Sequence, residues 1–432
     1  MMKKIIFTLL LGFTFIGFSQ NTAIPDANFE QALIDLGIDT DATINGQVLT
    51  ADIEGVTNLD VNNKNIADLT GIEGFIALTD LGCALNQLTS LDVSNNIALI
   101  NLNCNFNQLT SIDVRNGNNT DIITFRANAN PYLTCIFVDD VSYSTTNWTD
   151  IDSTSNFVAD EAECDAFFTA IPDANFEQAL IDLGIDTNPT IDGQVLTADI
   201  EGVTNLDVNN KNIADLTGIE GFTALTNLSC TINQLTSIDV SNNTALTVLK
   251  CSSNQLTSLN VSNNTVLTDL RLIDNQLTSL DVSANPALTI LFCGTNPLTS
   301  LDLSNNIALT DLRCFNNQLT SLDVRNGNNE NITFFNALNN PDLTCIFVDD
   351  VSYSDANWTD IDPASNFVAD EAECDAFFTA IPDANFEQAL IDLGIDTNPT
   401  IDGQVLTADI EGVTNLDVNN KNIADLTGIE GF

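Results

Sequence analysis

Three sets of residues in this 432-residue chain have the types and spacing to do chemistry. The first is a series at 21-residue steps that differs in every copy: Lys250, Arg271, Ile273, Ile290, Phe292, Arg313 and Phe315. Arg beside aromatic side chains is the usual make-up of a binding anchor, so the expected chemistry is non-covalent recognition. The second is an acidic series, Asp239, Asp281, Asp302 and Asp323, with Asp92 and Asp113 earlier in the chain. Carboxylates stacked about 5 Å apart on neighbouring extended segments repel unless counter-ions lie between them. Calcium is the ion that suits oxygen-only ligands. The third is two cysteine pairs, Cys135/Cys164 and Cys345/Cys374, each 29 residues apart; in an exported chain these form disulfides. A fainter echo of a calcium loop runs through Asp41, Thr43, Asn45, Gly46 and Asp52, and again through Thr190, Asp192, Gly193 and Asp199.

The residue types that are missing exclude as much. The chain has no His, which removes the commonest general base and the commonest zinc ligand together. There is no G-x-S-x-G and no Gly-rich phosphate loop, and acid pairs occur only as repeated surface features, so no enzyme activity is expected. Six further cysteines, Cys83, Cys104, Cys230, Cys251, Cys293 and Cys314, share one repeat position with Leu272. That interchange marks them as small hydrophobes rather than ligands. The net charge of −49 repels phosphate backbones and anionic lipid heads, which argues against nucleic acid and bare membrane as partners. No cofactor is implied other than calcium.

What positions these residues is a short repeat. Asn233-Gln-Leu-Thr-Ser-Ile-Asp-Val returns with small changes at Asn254, Asn275, Asn296 and Asn317. Each copy reads like Leu246-x-x-Leu249-x-Cys251-x-x-Asn254-x-Leu256. This pattern resembles the leucine-rich repeat, with Cys in the place of the third Leu. In Leu246-Thr-Val-Leu249-Lys-Cys251 the apolar residues point inward and Val248 and Lys250 outward, on a concave sheet. The recurring Asn is buried and must spend its amide on the backbone of the next turn. The run Leu256-Thr-Ser-Leu259-x-Val261 alternates too, which predicts a second strand-like segment on the outer face, turned by Ser-Asn-Asn. The fold expected is mostly β with short helices: a leucine-rich-repeat solenoid of 21-residue repeats with helical N-terminal caps and disulfide-closed C-terminal caps.

A longer repeat encloses the short one. Ala-Ile-Pro-Asp-Ala-Asn-Phe-Glu starts at Ala23, Ala170 and Ala380, and the second interval exceeds the first by three short repeats. Each start predicts a cap helix, Ala27–Leu36 in the first copy, with Phe29, Leu33, Ile34 and Leu36 on its apolar face and Gly37 as its stop. This cap, with Val56-x-x-Leu59 and Gly71-Ile72-Glu73 after it, resembles the N-terminal region of internalin-type surface proteins. Each complete module closes on a segment holding a Trp and the cysteine pair, which covers the end of the stack.

The domains expected are a signal peptide at 1–19, module 1 at 22–168, module 2 at 169–378 and a third, partial module at 379–432. The third has a cap and one repeat, too few to share a core, which reads as part of a longer sequence. Met1-Met2-Lys3-Lys4 and the apolar run to Phe18 form the signal; no other segment is long and apolar enough to span a bilayer. Location outside the cell or on its surface follows, and the overall pattern is similar to exported repeat proteins of Bacteroidota. The function expected is adhesion or binding of a protein or glycan at the concave faces. The rival is a structural matrix component whose acidic faces gather calcium.

Overall fold

The computed structural model describes Gln20–Phe432; the expected signal peptide lies outside the described residues. The chain divides into two compact units, one ending at Phe167 and the other running Phe168–Phe432. In the second unit the inner strands Asn205–Asp207, Asn227–Ser229, Val248–Lys250, Asp269–Arg271, Ile290–Phe292, Asp311–Arg313 and Phe334–Asn336 form one parallel sheet. The first unit has four, Asn58–Asp60, Asp80–Gly82, Asn101–Asn103 and Thr124–Arg126. Equivalent residues stand directly opposite each other, as Leu228, Leu249, Leu270 and Leu291 do. The central residue of each strand, Leu in all but the last of each sheet, where it is Phe125 or Phe335, is buried, and in the second unit one continuous apolar core runs from Ile171 to Phe367. This is a leucine-rich-repeat solenoid.

Stacking leaves backbone groups at each bend that no strand can satisfy, and asparagine amides satisfy them. The Nδ2 of Asn254 donates to the carbonyls of Cys230 and Cys251, both at 3.0 Å, while its Oδ1 accepts from the Leu235 N–H at 3.0 Å. Asn275 and Asn296 repeat the arrangement one and two turns on. A second asparagine series lies across the turn. Asn243, Asn264, Asn285 and Asn306 are fully buried, and Asn264 donates to Val240 and Asn243 carbonyls at 3.1 and 2.9 Å. The Ser-Asn-Asn motif read as a plain turn therefore carries a second ladder. A threonine series adds to it: the hydroxyls of Thr247, Thr268, Thr289 and Thr310 each donate to the carbonyl of the Thr one turn before.

The outer runs are strands only in part. Ser90–Asp92, Ser111–Asp113, Cys135–Phe137 and Asn156–Val158 pair in the first unit. In the second, Ser300–Asp302, Ser321–Asp323, Cys345–Phe347 and Asn366–Val368 pair, while Ile238, Leu259 and Leu280 lie in irregular chain. The regular outer strands are thus those nearest the C-terminal cap, where a paired edge continues the ladder.

The cap helix spans Ala27–Asp35, and its buried residues are Phe29, Glu30, Ala32 and Leu33. Leu36, expected on the apolar face, is an exposed C-cap, and Ile34 is half-buried. The helix ends a residue early and turns Glu30 inward instead. The buried Glu30 carboxylate accepts from the N–H groups of Asn45, Gly46 and Gln47 at 2.8, 2.9 and 3.2 Å. At the helix start Asp26 accepts from Asn28 and Phe29 with one oxygen and from Ala67 and Asp68 with the other. One side chain therefore caps the helix and fastens it to the first repeat.

The closing caps carry disulfides Cys135–Cys164 and Cys345–Cys374, with Cα atoms 5.8 Å apart in each. Trp148 stacks on Phe125 with ring centroids at 4.4 Å, and Trp358 on Phe335 at 4.3 Å, sealing the ends of the cores. Residues after Ala380 form a helix, Ala384–Asp392, packed on a small core of Ile381, Phe386, Leu390, Val405 and Ile410. Asn415–Asp417, the counterpart of the strand Asn205–Asp207, is not a strand, because no neighbouring turn among the described residues offers it a partner.

The amide ladder yields a direct test. Asn254→Ala strands a buried N–H and two carbonyls, and lowers stability by about 2–3 kcal/mol. Asn242→Ala, one residue before a ladder amide and exposed, changes it by less than about 0.5 kcal/mol. Urea midpoints of the two variants measure the contrast.

Candidate functional site

The outward side chains of the second unit's inner sheet form two columns set by the strand register. One runs Ser229, Lys250, Arg271, Phe292, Arg313 and Asn336. The other runs Asn227, Val248, Asp269, Ile290, Asp311 and Phe334. Strand geometry puts residues two apart on one face, so each Arg meets the Asp of its own strand. Arg271 forks onto Asp269 through Nε and Nη2 at 2.8 and 3.0 Å. Arg313 does the same to Asp311, both at 3.0 Å, and these bonds hold its guanidinium above the ordinary arginine pKa.

Between the two forks lies Phe292. The guanidinium carbons of Arg271 and Arg313 sit 4.8 and 4.2 Å from its ring centroid. The ring is sandwiched by cations from both neighbouring turns, each contact worth about 0.5–2 kcal/mol. A binding anchor on the outward face is expected to stand in solvent, yet Phe292 is 8% exposed, because the two arginines cover it. Phe315 is likewise half-buried, lying over Gly294, where an added Cβ would come within 2.9 Å of its ring. Ile273 and Ile290 are half-buried beside them.

The aromatic that does face solvent is Phe334, at 62% exposure, with Arg313 5.9 Å from its ring. Sequence spacing passed over it, since the two-residue insertion at Asn326–Asn329 shifts the last repeat out of the 21-residue step. Asn329 is buried and donates to the Val324 carbonyl at 2.7 Å. The insertion is thereby absorbed inside the turn, and Phe334 still falls opposite Asp311.

Lys250 differs from every other cation. Among the described residues it is the one basic side chain without a carboxylate within 4.0 Å. It stands on the wall of a shallow depression of about 580 Å³ with Asp207, Asn227, Ser229 and Arg271. The strip thus has a rigid Arg–Phe–Arg centre, a free ammonium on one side and an exposed phenyl on the other. The first unit offers Asp80, Gly82, Asn101 and Asn103 at the matching places, with the Asn101 amide donating to Asp80 at 2.6 Å.

The acidic series falls on the outer face, one residue per turn, with Asn260 interrupting it between Asp239 and Asp281. Asp302 and Asp323 are in register on adjacent strands; Asp239 and Asp281 lie in the irregular runs. Each accepts from the N–H two residues on: Ser241, Ser283, Ser304 and Arg325, all at 2.9 Å. Hydrogen bonds from the serines hold Asp239 and Asp281 below the usual carboxylate range. Burial pushes Asp323 up, but Arg325 at 2.6 Å outweighs it and leaves its pKa lowered. Asp92 pairs in register with Asp113, which Arg115 holds at 2.6 Å. Among the described residues no three His, Cys, Asp or Glu side chains are gathered as a metal site requires.

In the cap loop, Asp41 accepts from the Thr43 N–H and the Asn45 amide, both at 2.9 Å, and Asp52 from the Thr40 hydroxyl at 2.6 Å. In the second copy Asn188 donates to Asp192 at 2.8 Å and the Thr187 hydroxyl to Asp199 at 2.9 Å, while Gly193 donates to the buried Glu177 at 2.9 Å. Thr190 gives its N–H to Asn188 at 3.1 Å. The loop's polar groups answer one another. The six repeat cysteines are buried and unpaired, and burial pushes the Cys83 and Cys293 thiols up to about 12. They are core side chains, not nucleophiles.

With this geometry in place, comparison with known proteins gives three likenesses. Internalin J of Listeria monocytogenes serotype 4b (strain F2365) is 40% identical over 122 residues, which is 27% of this chain. The match spans 13% of that protein's length. A structure of the functional domain of InlJ from Listeria monocytogenes, described as including a cysteine ladder, is 26% identical with a TM-score of 0.32. It covers 76% of this chain and 66% of its own. The internalin InlF of Listeria monocytogenes str. 4b F2365 is 22% identical with a TM-score of 0.29, over 81% of this chain and 96% of its own. No family model matches. The sequence identity supports an internalin-like leucine-rich-repeat relationship over the matched stretch.

One feature of the caps titrates. Asp39, Asp186 and Asp396 are buried, and in each one carboxylate oxygen has no hydrogen-bond partner. Burial pushes Asp186 up to about 6; the Asn188 N–H opposes this, and the charges of Glu177, Asp192 and Asp199 reinforce it. An acid whose pKa is raised on folding stabilises the fold fully below its unfolded pKa of 3.8 and loses that contribution as pH rises through 6. Asp186→Asn therefore raises Tm at pH 7 and flattens the Tm–pH profile between roughly pH 4 and 6, which calorimetry at a series of pH values checks.

Proposed function

We propose that this chain is a non-enzymatic binding protein of the cell exterior whose second module holds a protein ligand on its concave sheet. One observation carries the reading: Phe292 clamped between Arg271 and Arg313, each already fixed by an aspartate of its own strand. Side chains locked before a partner arrives lose little freedom on binding, and Arg with aromatics is the composition of interface hot spots. The arginines are charge-paired, so the strip favours a mixed apolar and polar protein surface over a bare anion. Lys250 and the polar depression beside it would take a carboxylate or amide at the edge, and Phe334 would fill an apolar pocket. Placement outside the cell rests on the signal-like N-terminus and the disulfide-closed caps, and a pattern similar to exported repeat proteins of Bacteroidota belongs to the same proposal.

The rival, a matrix component that collects calcium on its outer carboxylates, is less supported. Arg115 and Arg325 already hold Asp113 and Asp323, and the remaining series members cap their own turns.

Two variants test the binding reading, measured as capture of ligand or adhesion by the purified chain. Phe334→Ala, which removes an exposed side chain, weakens binding by roughly tenfold with Tm unchanged. Arg271→Ala with Arg313→Ala weakens it by about a hundredfold or more. Undiminished capture by the double variant would sink the concave-face assignment. A melting temperature that rises with calcium and falls with chelator would instead favour the matrix reading.

A further inference from the structure

The residue before each ladder asparagine has a left-handed backbone, with φ between 53 and 63° throughout the two stacks. In the second unit this column reads Ile232, Ser253, Asp274, Thr295, Asn316 and Asn339, polar in all but Ile232, with the Asn and Asp that tolerate the conformation best. In the first unit it holds Leu85 at φ 59° and Phe106 at φ 57° on adjacent turns, followed by Ala129 at φ 57°. Leu85 and Phe106 are exposed, at 53% and 56%. More than half of each residue's surface stays in water, and the backbone carries a conformation that bulky residues resist. A strained position filled by a side chain the fold does not use is a sign of function.

A second departure flanks the same sheet. The threonine series that lines the start of the inner strands breaks after Thr79: the next two positions are Ile100 and Ile123. Ile123 donates its N–H to the Ile100 carbonyl at 2.8 Å and is 81% exposed. Leu85 and Phe106 follow the inner strands; Ile100 and Ile123 precede them. Between these two apolar margins lie Asp80, Asn101 and Asn103.

We infer that the first unit carries its own docking surface, centred on Leu85 and Phe106, for a basic amphipathic segment of a protein partner. Charge complementarity selects the occupant. Residues 20–167 hold 22 acids against three bases, and all three bases are taken: Lys64 by Asp35, Arg115 by Asp113 and Glu161, Arg126 by Asp150. The apolar margin therefore sits in a field of uncompensated carboxylates, which attracts Lys and Arg. A second copy of this chain would bring the same negative field and is repelled. This surface differs from the Arg–Phe–Arg strip in residues, in charge and in module, and stands or falls apart from it.

The test uses the whole chain and a helical peptide of leucine and lysine arranged on opposite faces, with binding read by fluorescence anisotropy. Leu85→Asn with Phe106→Asn keeps every charge and suits the left-handed backbone. The pair weakens binding about tenfold or more and raises Tm by roughly 2–4 °C per site as strain is relieved. Arg271→Ala with Arg313→Ala leaves peptide binding unchanged. Equal affinity in the Asn pair would mean that charge alone holds the peptide, and would overturn the inference. So would a fall in Tm, which would make these side chains part of the fold, or loss of peptide binding on changing Arg271 and Arg313. Self-association of the chain that the Asn pair abolishes would assign the surface to a second copy, and overturns the inference as well.

Discussion

Everything in this molecule depends on how one turn of chain satisfies the backbone of the next. A three-residue strand buries little more than one apolar side chain, and on its own it would be a poor bargain of entropy against area. Two buried asparagines per turn change that balance. Asn254 and its equivalents bind the carbonyls at the strand ends, and Asn264 and its equivalents bind those across the outer bend. Each amide reaches into the preceding turn, so no turn is complete without a neighbour. The caps follow from the same requirement: Asp26 and Glu30 at one end, and the disulfide and tryptophan at the other, supply partners where the repeat runs out.

The repeat itself was legible because it is written in spacing. Leu249 and Cys251 had to point inward and Val248 and Lys250 outward, and the cysteine pairs of the caps stood out by occurring once per module. What escaped the sequence depends on contacts one turn away. Phe292 looked exposed because nothing along its own strand covers it; its cover comes from Arg271 and Arg313 on either side. Phe334 was displaced from the period by an insertion that the structure hides inside a bend. Glu30 sits on what a helical wheel takes as a polar face, yet it is buried because a loop fifteen residues later presents three N–H groups to it. The second asparagine series was read as turn chemistry, since the residue types for bending and for buried capping are the same.

The two modules share a scaffold and differ in what they show to solvent. Module 2 spends its variation on the sheet, where cations and aromatics are locked together. Module 1 keeps a polar sheet and moves its apolar groups to the margins, onto a backbone that disfavors them. A common framework with separately edited surfaces is what repeat architectures permit, because each turn contacts only its neighbours.

That locality has a consequence for how such a chain can change length. The second module is the first with three whole turns added, and the register on both sides of the addition is unbroken. A gain or loss of one turn leaves every amide ladder intact and alters only the span of the exposed strip, by one strand spacing of about 5 Å. The near-identity of successive turns also makes such steps easy at the level of the gene, through misaligned exchange between copies. Reach then becomes a quantity that heredity can adjust in whole increments, without a new fold and without an unfolded intermediate along the way.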